Sequence, residues 1–300
     1  MSQPQKLDRF DALVPREPFV NPWQPDGTYV PDFKLLELLL GAAIGTEQSS
    51  GIVAGATDVW AAEELRRAGF EADDVWPRRE SPRVLPRDVR EFVERGLTRK
   101  LRAEIEGRYN MPGARRALPA EARVMGSAYL KQGDVVIASW ATGVEVLIST
   151  KTMLSSYAKN LRNRFEEGYG DAKNLRGRHP LSALGFLFVV GADISHDELG
   201  FAVDMLRKLR SEPDVYDCSC LLILDEEQMT DIKDRDLSGA TFAQEGTLRP
   251  PGAVVKLDLD RAPEDLSAGV FFRRLVEKAL SHMPVDVYEQ VRQRQAHARS

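Results

Sequence analysis

The pattern of hydrophobic positions divides the chain into a helical first part and a second part in which strands alternate with helices. A nearly continuous apolar run from Phe33 predicts a buried helix, and a second helix is predicted from Trp60 to Gly69, a residue suited to a helix C-cap. The first thirty or so residues are rich in proline and turn formers, which favours an irregular arm. Prolines from Trp76 to Pro86 break both helix and central strand, so this stretch is interpreted as a linker.

The linker divides the chain into residues 1–86, an arm with a mainly helical region, and residues 87–300, an α/β domain. Two later strands are apolar on both faces and have a helix between them, which indicates a parallel pair in a sheet covered by helices. The elements predicted after the linker are a helix over 88–109, a hairpin of strands 134–139 and 144–153, a helix from Ser155 or Ser156 to about Arg176, a strand over 186–190, a helix over 197–210, a strand over 218–224, and a helix over 266–281 before a polar tail.

Composition adds few constraints. Apolar and charged fractions of 43% and 29% are those of an ordinary globular protein. The N-terminus is polar where a signal peptide needs an apolar stretch, and no segment reaches membrane-spanning length, so we expect a cytoplasmic protein without a membrane partner. Cys218 and Cys220 alternate with Ser219 in an apolar strand and are interpreted as core residues.

Charge is distributed unevenly. The formal net charge of -5 argues mildly against a nucleic-acid-binding protein, but residues 151–178 are basic, and the acidic stretch 225–236 can hide a basic face within the negative total. Basic and amide side chains of this kind contact phosphates and base edges. A solvated helix surface is the alternative. The candidate DNA-binding residues are Lys159, Asn160, Arg162, Asn163, Arg164, Lys173, Asn174, Arg176 and Arg178.

The predicted hairpin brings an acid and a lysine together. Ser149 and Lys151 share one face of their strand because side chains alternate. If the hairpin turns symmetrically between Ala141 and Thr142, Asp134 lies opposite Ser149, at about the 5 Å of directly paired positions. Buried lysine and aspartate either pair or take part in function, so a simple ion pair at a sheet edge is the alternative to an active site.

Asp134, the hairpin and the strand ending Ser149-Thr150-Lys151 resemble the PD-(D/E)xK nuclease superfamily, which includes type II restriction endonucleases. The resemblance covers roughly residues 97–224 and includes the order of helix, hairpin, helix, strand, helix and strand. It implies a restriction-endonuclease-like core with an N-terminal, mainly helical extension. Two positions depart from the family pattern: Gly133 stands where the family has proline, and Ser149 stands where it has an acid.

A second acid is therefore expected elsewhere. The chain is similar to family members that have a Ser-x-Lys strand and carry this acid on the following helix, where Glu166 and Glu167 are the candidates. Only one can face the site because neighbouring helical residues point about 100° apart. Glu104 resembles the auxiliary acid that many members carry on the helix before the hairpin. The resemblance implies a Mg²⁺ site, with Mn²⁺ able to substitute, held by Asp134 and one of the two glutamates.

The resemblance thus implies a metal-dependent deoxyribonuclease of the restriction or phage-defence type. By the same resemblance, the enzyme is expected to cleave duplex DNA as a homodimer or higher homo-oligomer, with Lys151 orienting the attacking water. A non-catalytic nuclease-fold DNA-binding or assembly subunit is the alternative, favoured by Ser149 and by the net charge. Residues 1–86 could read DNA, form an oligomer interface or cover the sheet, and the sequence leaves these three roles open.

Overall fold

The computed structural model describes residues 7–15, 20–44, 49–109, 111, 113–114, 118–119, 121–224 and 255–299. The fold is α/β, with a mixed sheet flanked by helices. The strands are β1 (Ala122–Met125), β2 (Leu130–Gly133), β3 (Val135–Ser139), β4 (Gly143–Met153), β5 (Ala183–Gly191) and β6 (Cys218–Leu224). The α-helices are α1 (Phe33–Ile44), α2 (Ser49–Ala68), α3 (Arg87–Gly96), α4 (Arg99–Glu106), α5 (Tyr157–Arg176), α6 (His196–Ser211), α7 (Ala268–His282) and α8 (Glu289–Arg299).

The central sheet has the strand order β3-β4-β5-β6. Strands β3 and β4 form the predicted antiparallel hairpin, and β4, β5 and β6 run parallel to one another. Every residue of β5 and β6 is buried, as expected for parallel strands covered on both faces. Strands β1 and β2 form a separate two-stranded antiparallel sheet directly before β3.

Two helical layers cover the sheet. One apolar cluster joins α1, α2 and α7 to the face that carries Ile148, and the other joins α5 and α6 to the face that carries Leu147. Trp60 of α2 lies in the first cluster and Phe165 of α5 in the second. The helices of residues 1–86 therefore form one of the layers over the sheet, and the division at residue 86 as a domain boundary stays a prediction.

The linker lies along an edge of the sheet. Trp76 and Val136 exchange backbone hydrogen bonds of 2.9 and 3.0 Å, so the segment before the prolines pairs with β3. This pairing satisfies backbone groups that an open edge strand would leave free.

Several sequence predictions need correction. The single helix over 88–109 is two helices, because Leu97 is extended and Thr98 caps α4. Strands β1 and β2 were not predicted, since each has only four residues. The expected polar tail contains α8, which Val291 anchors in the core. The acidic stretch 225–236 lies outside the described residues.

Within the described ranges, no helix combines the length and the apolar character needed to cross a bilayer.

Candidate active site

The hairpin register places Asp134 over β4. Val135 pairs with Ile148, and one further step along the ladder brings Asp134 opposite Ser149. The Asp134 carboxylate accepts a hydrogen bond of 2.8 Å from the backbone N–H of Thr150. The pairing shifts by one residue only near the turn, between Ile137 and Ala138. Asp134 is thereby fixed beside the segment that carries Lys151.

Lys151 lies on the same face of β4 as Ser149 and reaches towards α5. Its side chain is 19% exposed, and its Nζ lies 4.0 Å from Oε2 of Glu167. Glu167 also accepts a hydrogen bond of 2.8 Å from Arg164, one turn earlier on the helix. Burial raises the pKa of Asp134, whereas the backbone hydrogen bond from Thr150 and the Lys151 charge lower it. The acid and the lysine therefore interact electrostatically.

The two candidate glutamates of α5 point in different directions. Glu167 faces Lys151, whereas Glu166 lines a groove between α5 and α6 together with Phe201 and Met205. This difference follows from the 100° step between neighbouring helical residues. Glu166 is therefore not placed to share a metal ion with Asp134.

A further acid of α5 acts electrostatically on Asp134. Asp171, one turn after Glu167, is buried and forms an ion pair with Lys131 of β2. The Tyr129 hydroxyl donates to the same carboxylate at 3.1 Å. Asp171 raises the pKa of Asp134 and Lys131 lowers it, so both charges lie within reach of Asp134. A second lysine–acid pair thus accompanies the first.

The remaining acid comes from the opposite helical layer. Asp58 of α2 is 8% exposed and accepts a hydrogen bond from the Thr150 hydroxyl. Thr150 therefore contacts Asp134 through its backbone and Asp58 through its side chain. Burial raises the pKa of Asp58 well above its usual range, and repulsion by Asp134 raises it further. Burial likewise raises the pKa of Asp134.

Asp58 and Asp134 line one small cavity of about 40 Å³, and Gln132 contributes to its wall. Two carboxylates held near each other in a buried place repel, and a divalent cation would relieve that repulsion. Mg²⁺ commonly binds one or two carboxylates, with waters and substrate phosphates as its other ligands. Across the described part of the chain, no group of three or more acidic, His or Cys side chains could hold a metal ion. Two carboxylates alone would leave a hard cation to complete its coordination with water and phosphate oxygens.

Ser149 occupies the position where the family pattern has an acid. It is 2% exposed. Burial and the charge of Asp171 raise the pKa of the buried Tyr216 hydroxyl, and its interaction with the Ser149 hydroxyl lowers it, so these two hydroxyls lie near each other. Ser149 supplies no charge, so the acids near Asp134 come from helices instead of from β4.

Two other acids have structural roles. Glu104 is exposed on α4, and its carboxylate pairs at 2.9 Å with Arg108, just past the end of that helix. It makes no hydrogen bond or ion pair with the described residues around Asp134. Glu145 of β4 is fully buried and accepts two hydrogen bonds, of 3.1 and 3.0 Å, from Arg87.

Not all the candidate DNA-binding residues are accessible. Asn174 and Arg176 are buried: Asn174 holds the backbone of Ala128 and Tyr129, and Arg176 pairs with Asp217 at 2.7 Å. Both side chains are engaged in structural hydrogen bonds within the protein, so neither is free to contact DNA. The candidates that remain exposed or half-buried are Lys159, Asn160, Arg162, Asn163, Arg164, Lys173 and Arg178.

Sequence reasoning missed Asp58, Lys131 and Asp171. Asp58 had a readable signal, since it is an acid inside the otherwise apolar segment from Ile52 to Ala62. Lys131 and Asp171 had no such signal in the sequence, because their ion pair depends on how the β1–β2 hairpin packs against α5.

Comparison with protein-family models, with curated proteins and with solved structures gives no match to this chain.

Proposed function

We propose that this chain is a metal-dependent DNA endonuclease that hydrolyses phosphodiester bonds in duplex DNA. The observation that carries the proposal is the placement of Asp134 on the Thr150 N–H, beside Lys151, with Asp58 close to the same carboxylate. The element order from α4 to β6 supports a restriction-endonuclease-like core, because it has the hairpin, helix, strand, helix and strand of that superfamily.

Asp134 and Asp58 would hold the Mg²⁺ or Mn²⁺ ion. When bound, such an ion polarises a phosphoryl oxygen and lowers the pKa of a bound water. The backbone N–H of Thr150 holds one carboxylate oxygen of Asp134 in place. Protonation of either acid opposes cation binding, and burial favours that protonated form.

Lys151 would act on the substrate phosphate or on the attacking water. Its ammonium group donates hydrogen bonds and stabilises negative charge as it develops on the phosphoryl oxygens. Glu167 lies 4.0 Å from the ammonium and keeps it on the α5 side of the sheet. Glu167 is thus a positioning residue for Lys151 in this scheme.

Helix α5 would contact the DNA backbone. Lys159, Asn163 and Arg178 are exposed on the helix or just beyond its end. Arginine and lysine supply most of the affinity for phosphates, whatever the net charge of the chain. A restriction or phage-defence role, assembly as a homodimer or higher homo-oligomer, and a cytoplasmic location belong to this proposal through the family resemblance.

A second candidate is a non-catalytic nuclease-fold subunit that binds DNA or assists assembly. Two observations favour it: Ser149 replaces the usual acid, and no group of three potential metal ligands is present in the described ranges. Such a subunit would bind DNA without requiring a divalent cation.

The test is cleavage of a mixed-sequence duplex DNA pool in Mg²⁺ or Mn²⁺. It compares the native chain with Asp134→Ala and Lys151→Ala, and Lys208→Ala serves as the control because this exposed lysine lies on α6 and pairs there with Asp204. Discrete fragments from the native chain and the control, absent in both site variants, would support the nuclease. A folded native chain that binds DNA but cuts none would favour the non-catalytic subunit.

A further inference from the structure

We propose that the outer face of the β1–β2 hairpin reads base edges in the major groove of the DNA substrate. This inference rests on the proposed function, because it places sequence recognition beside the same site. The outer face is defined by Arg123, Met125, Leu130 and Gln132.

The pairing of β1 with β2 assigns these four residues to one face. Arg123 pairs with Gln132 and Met125 with Leu130, and directly paired residues of an antiparallel ladder point the same way. Met125 and Leu130 are 40% and 61% exposed, and the Arg123 side chain is 66% exposed. These are large side chains on a surface that covers no core.

The inner face of the hairpin holds it to the protein. Val124 is buried in the cluster beneath α5, and its partner Lys131 forms the ion pair with Asp171. One face of the hairpin therefore packs against the protein, and the other face is accessible, as a recognition element requires.

Helix α5 also fixes the turn of the hairpin. The Asn174 carboxamide accepts hydrogen bonds of 2.8 and 3.1 Å from the N–H groups of Ala128 and Tyr129 and donates to the Tyr129 carbonyl at 3.0 Å. The Ser127 N–H donates to the Asn174 backbone carbonyl at 2.8 Å. A turn held by four hydrogen bonds presents its side chains with little loss of freedom on binding.

The outer face begins at the candidate active site. Gln132 is two residues before Asp134 and lines the cavity that Asp134 and Asp58 share. At a strand rise of about 3.3 Å per residue, Leu130 lies about 13 Å along the chain from Asp134. A phosphate at Asp134 and a base edge near Leu130 can therefore belong to one bound duplex.

Duplex DNA is the occupant that these side chains fit. The major groove admits a two-stranded β-ribbon, in which arginine pairs with guanine, glutamine pairs with adenine, and apolar side chains contact the thymine methyl group. Arg123 is available for such contact, because its ion pair with Glu121 spans 3.7 Å at an exposed position and costs little to break. Binding of a second copy of this chain to the same face is the alternative that the experiments must distinguish from DNA binding.

The first experiment maps cleavage sites in a randomised duplex pool for the native chain and for Arg123→Ala. Arg274→Ala is the control, an exposed arginine on α7, which covers the opposite face of the sheet. We expect Arg123→Ala to keep cleaving while the preference for one base pair falls roughly 5- to 150-fold, the discrimination expected of one bidentate contact. Unchanged site preference in Arg123→Ala would overturn the inference and leave the nuclease proposal standing.

The second experiment measures contact between the hairpin and DNA by photo-crosslinking, so it does not depend on cleavage. A photo-crosslinking residue, p-benzoylphenylalanine, replaces Leu130 or, as the control, the 80% exposed Val285. With duplex DNA and Ca²⁺ present, crosslinking to DNA from position 130 and not from 285 supports the inference. DNA binding without a crosslink at 130, or a crosslink to a second copy of the chain, overturns it. Absence of DNA binding by the native chain overturns both the inference and the proposed function.

Discussion

Lys151→Ala should separate catalysis from stability. Among the described residues, the lysine forms an ion pair with Glu167 at 4.0 Å, and the Glu167 side chain is 47% exposed. Pairs at such exposure are worth about 0.2–1 kcal/mol. One kcal/mol shifts the melting temperature of a domain of this size by about 2–4 °C, so the variant should melt no more than about 4 °C below the native chain.

The effect on the reaction should be much larger. Removal of one fixed group that stabilises transition-state charge lowers the rate by about 10²–10³-fold. Loss of the ammonium also raises the pKa of Asp134 and of Asp58, because its charge lowers both. The more readily protonated acids would then hold a cation less well, which adds to the loss.

The assay is single-turnover cleavage of a duplex substrate in saturating Mg²⁺, with thermal melting measured on the same preparations. Lys208→Ala should match the native chain in both measurements. A Lys151→Ala variant that melts normally and cleaves at the native rate would refute the assignment. A variant that loses activity only together with a large fall in melting temperature would give Lys151 a structural role instead.

Other predictions test the remaining parts of the site. Glu167→Ala should lower the cleavage rate by roughly tenfold or more, as loss of an orienting partner does, whereas Glu166→Ala should leave it unchanged; equal rates for the two variants would contradict the assignment of Glu167. Mn²⁺ should raise the melting temperature of the native chain but not of Asp134→Asn, and the rise should shrink as pH falls, because the raised pKa of Asp134 lets protons compete with the cation. A pH-independent rise would argue against that carboxylate as a ligand. Gly126→Ala should loosen the hairpin turn, because its Cβ would lie 2.2 Å from Nδ2 of Asn174, and hydrogen exchange should quicken at the turn while α5 stays protected.

The strands of the central sheet could be predicted from the sequence because they carry strong local signals. The strand predicted over 218–224 is observed at Cys218–Leu224, and the hairpin register that sets Asp134 opposite Ser149 continues the observed ladder. Period-two alternation and unbroken apolar runs depend only on neighbouring residues, so they can be read directly. The same local signals predicted α5 to end at Arg176, where it does end.

The long-range contacts could not be predicted in this way. Asn174 and Arg176 look like surface residues of a basic helix, yet each satisfies backbone groups of loops about 40 or more positions away, Asn174 that of Ala128 and Arg176 that of Val215. Glu145 looks like an exposed strand residue, yet Arg87, 58 positions earlier, neutralises it in the interior. Whether a polar side chain faces solvent or a buried partner depends on tertiary contacts, which no periodicity encodes.

The placement of Asp58 gives residues 1–86 a role that the sequence left open. Helix α2 covers one face of the sheet and α5 covers the other, and Thr150 lies between them, bonded to Asp58 by its side chain and to Asp134 by its backbone. Asp134 therefore has acids near it from both layers, Asp58 from one and Asp171 from the other. If Asp58 and Asp134 share a cation, the site is complete only when the N-terminal helices are packed on the sheet. The N-terminal helices would then both cover the sheet and complete the site. A chain lacking residues 1–86 would lose the helices α1 and α2 that cover one face of the sheet and, with them, the Asp58 carboxylate.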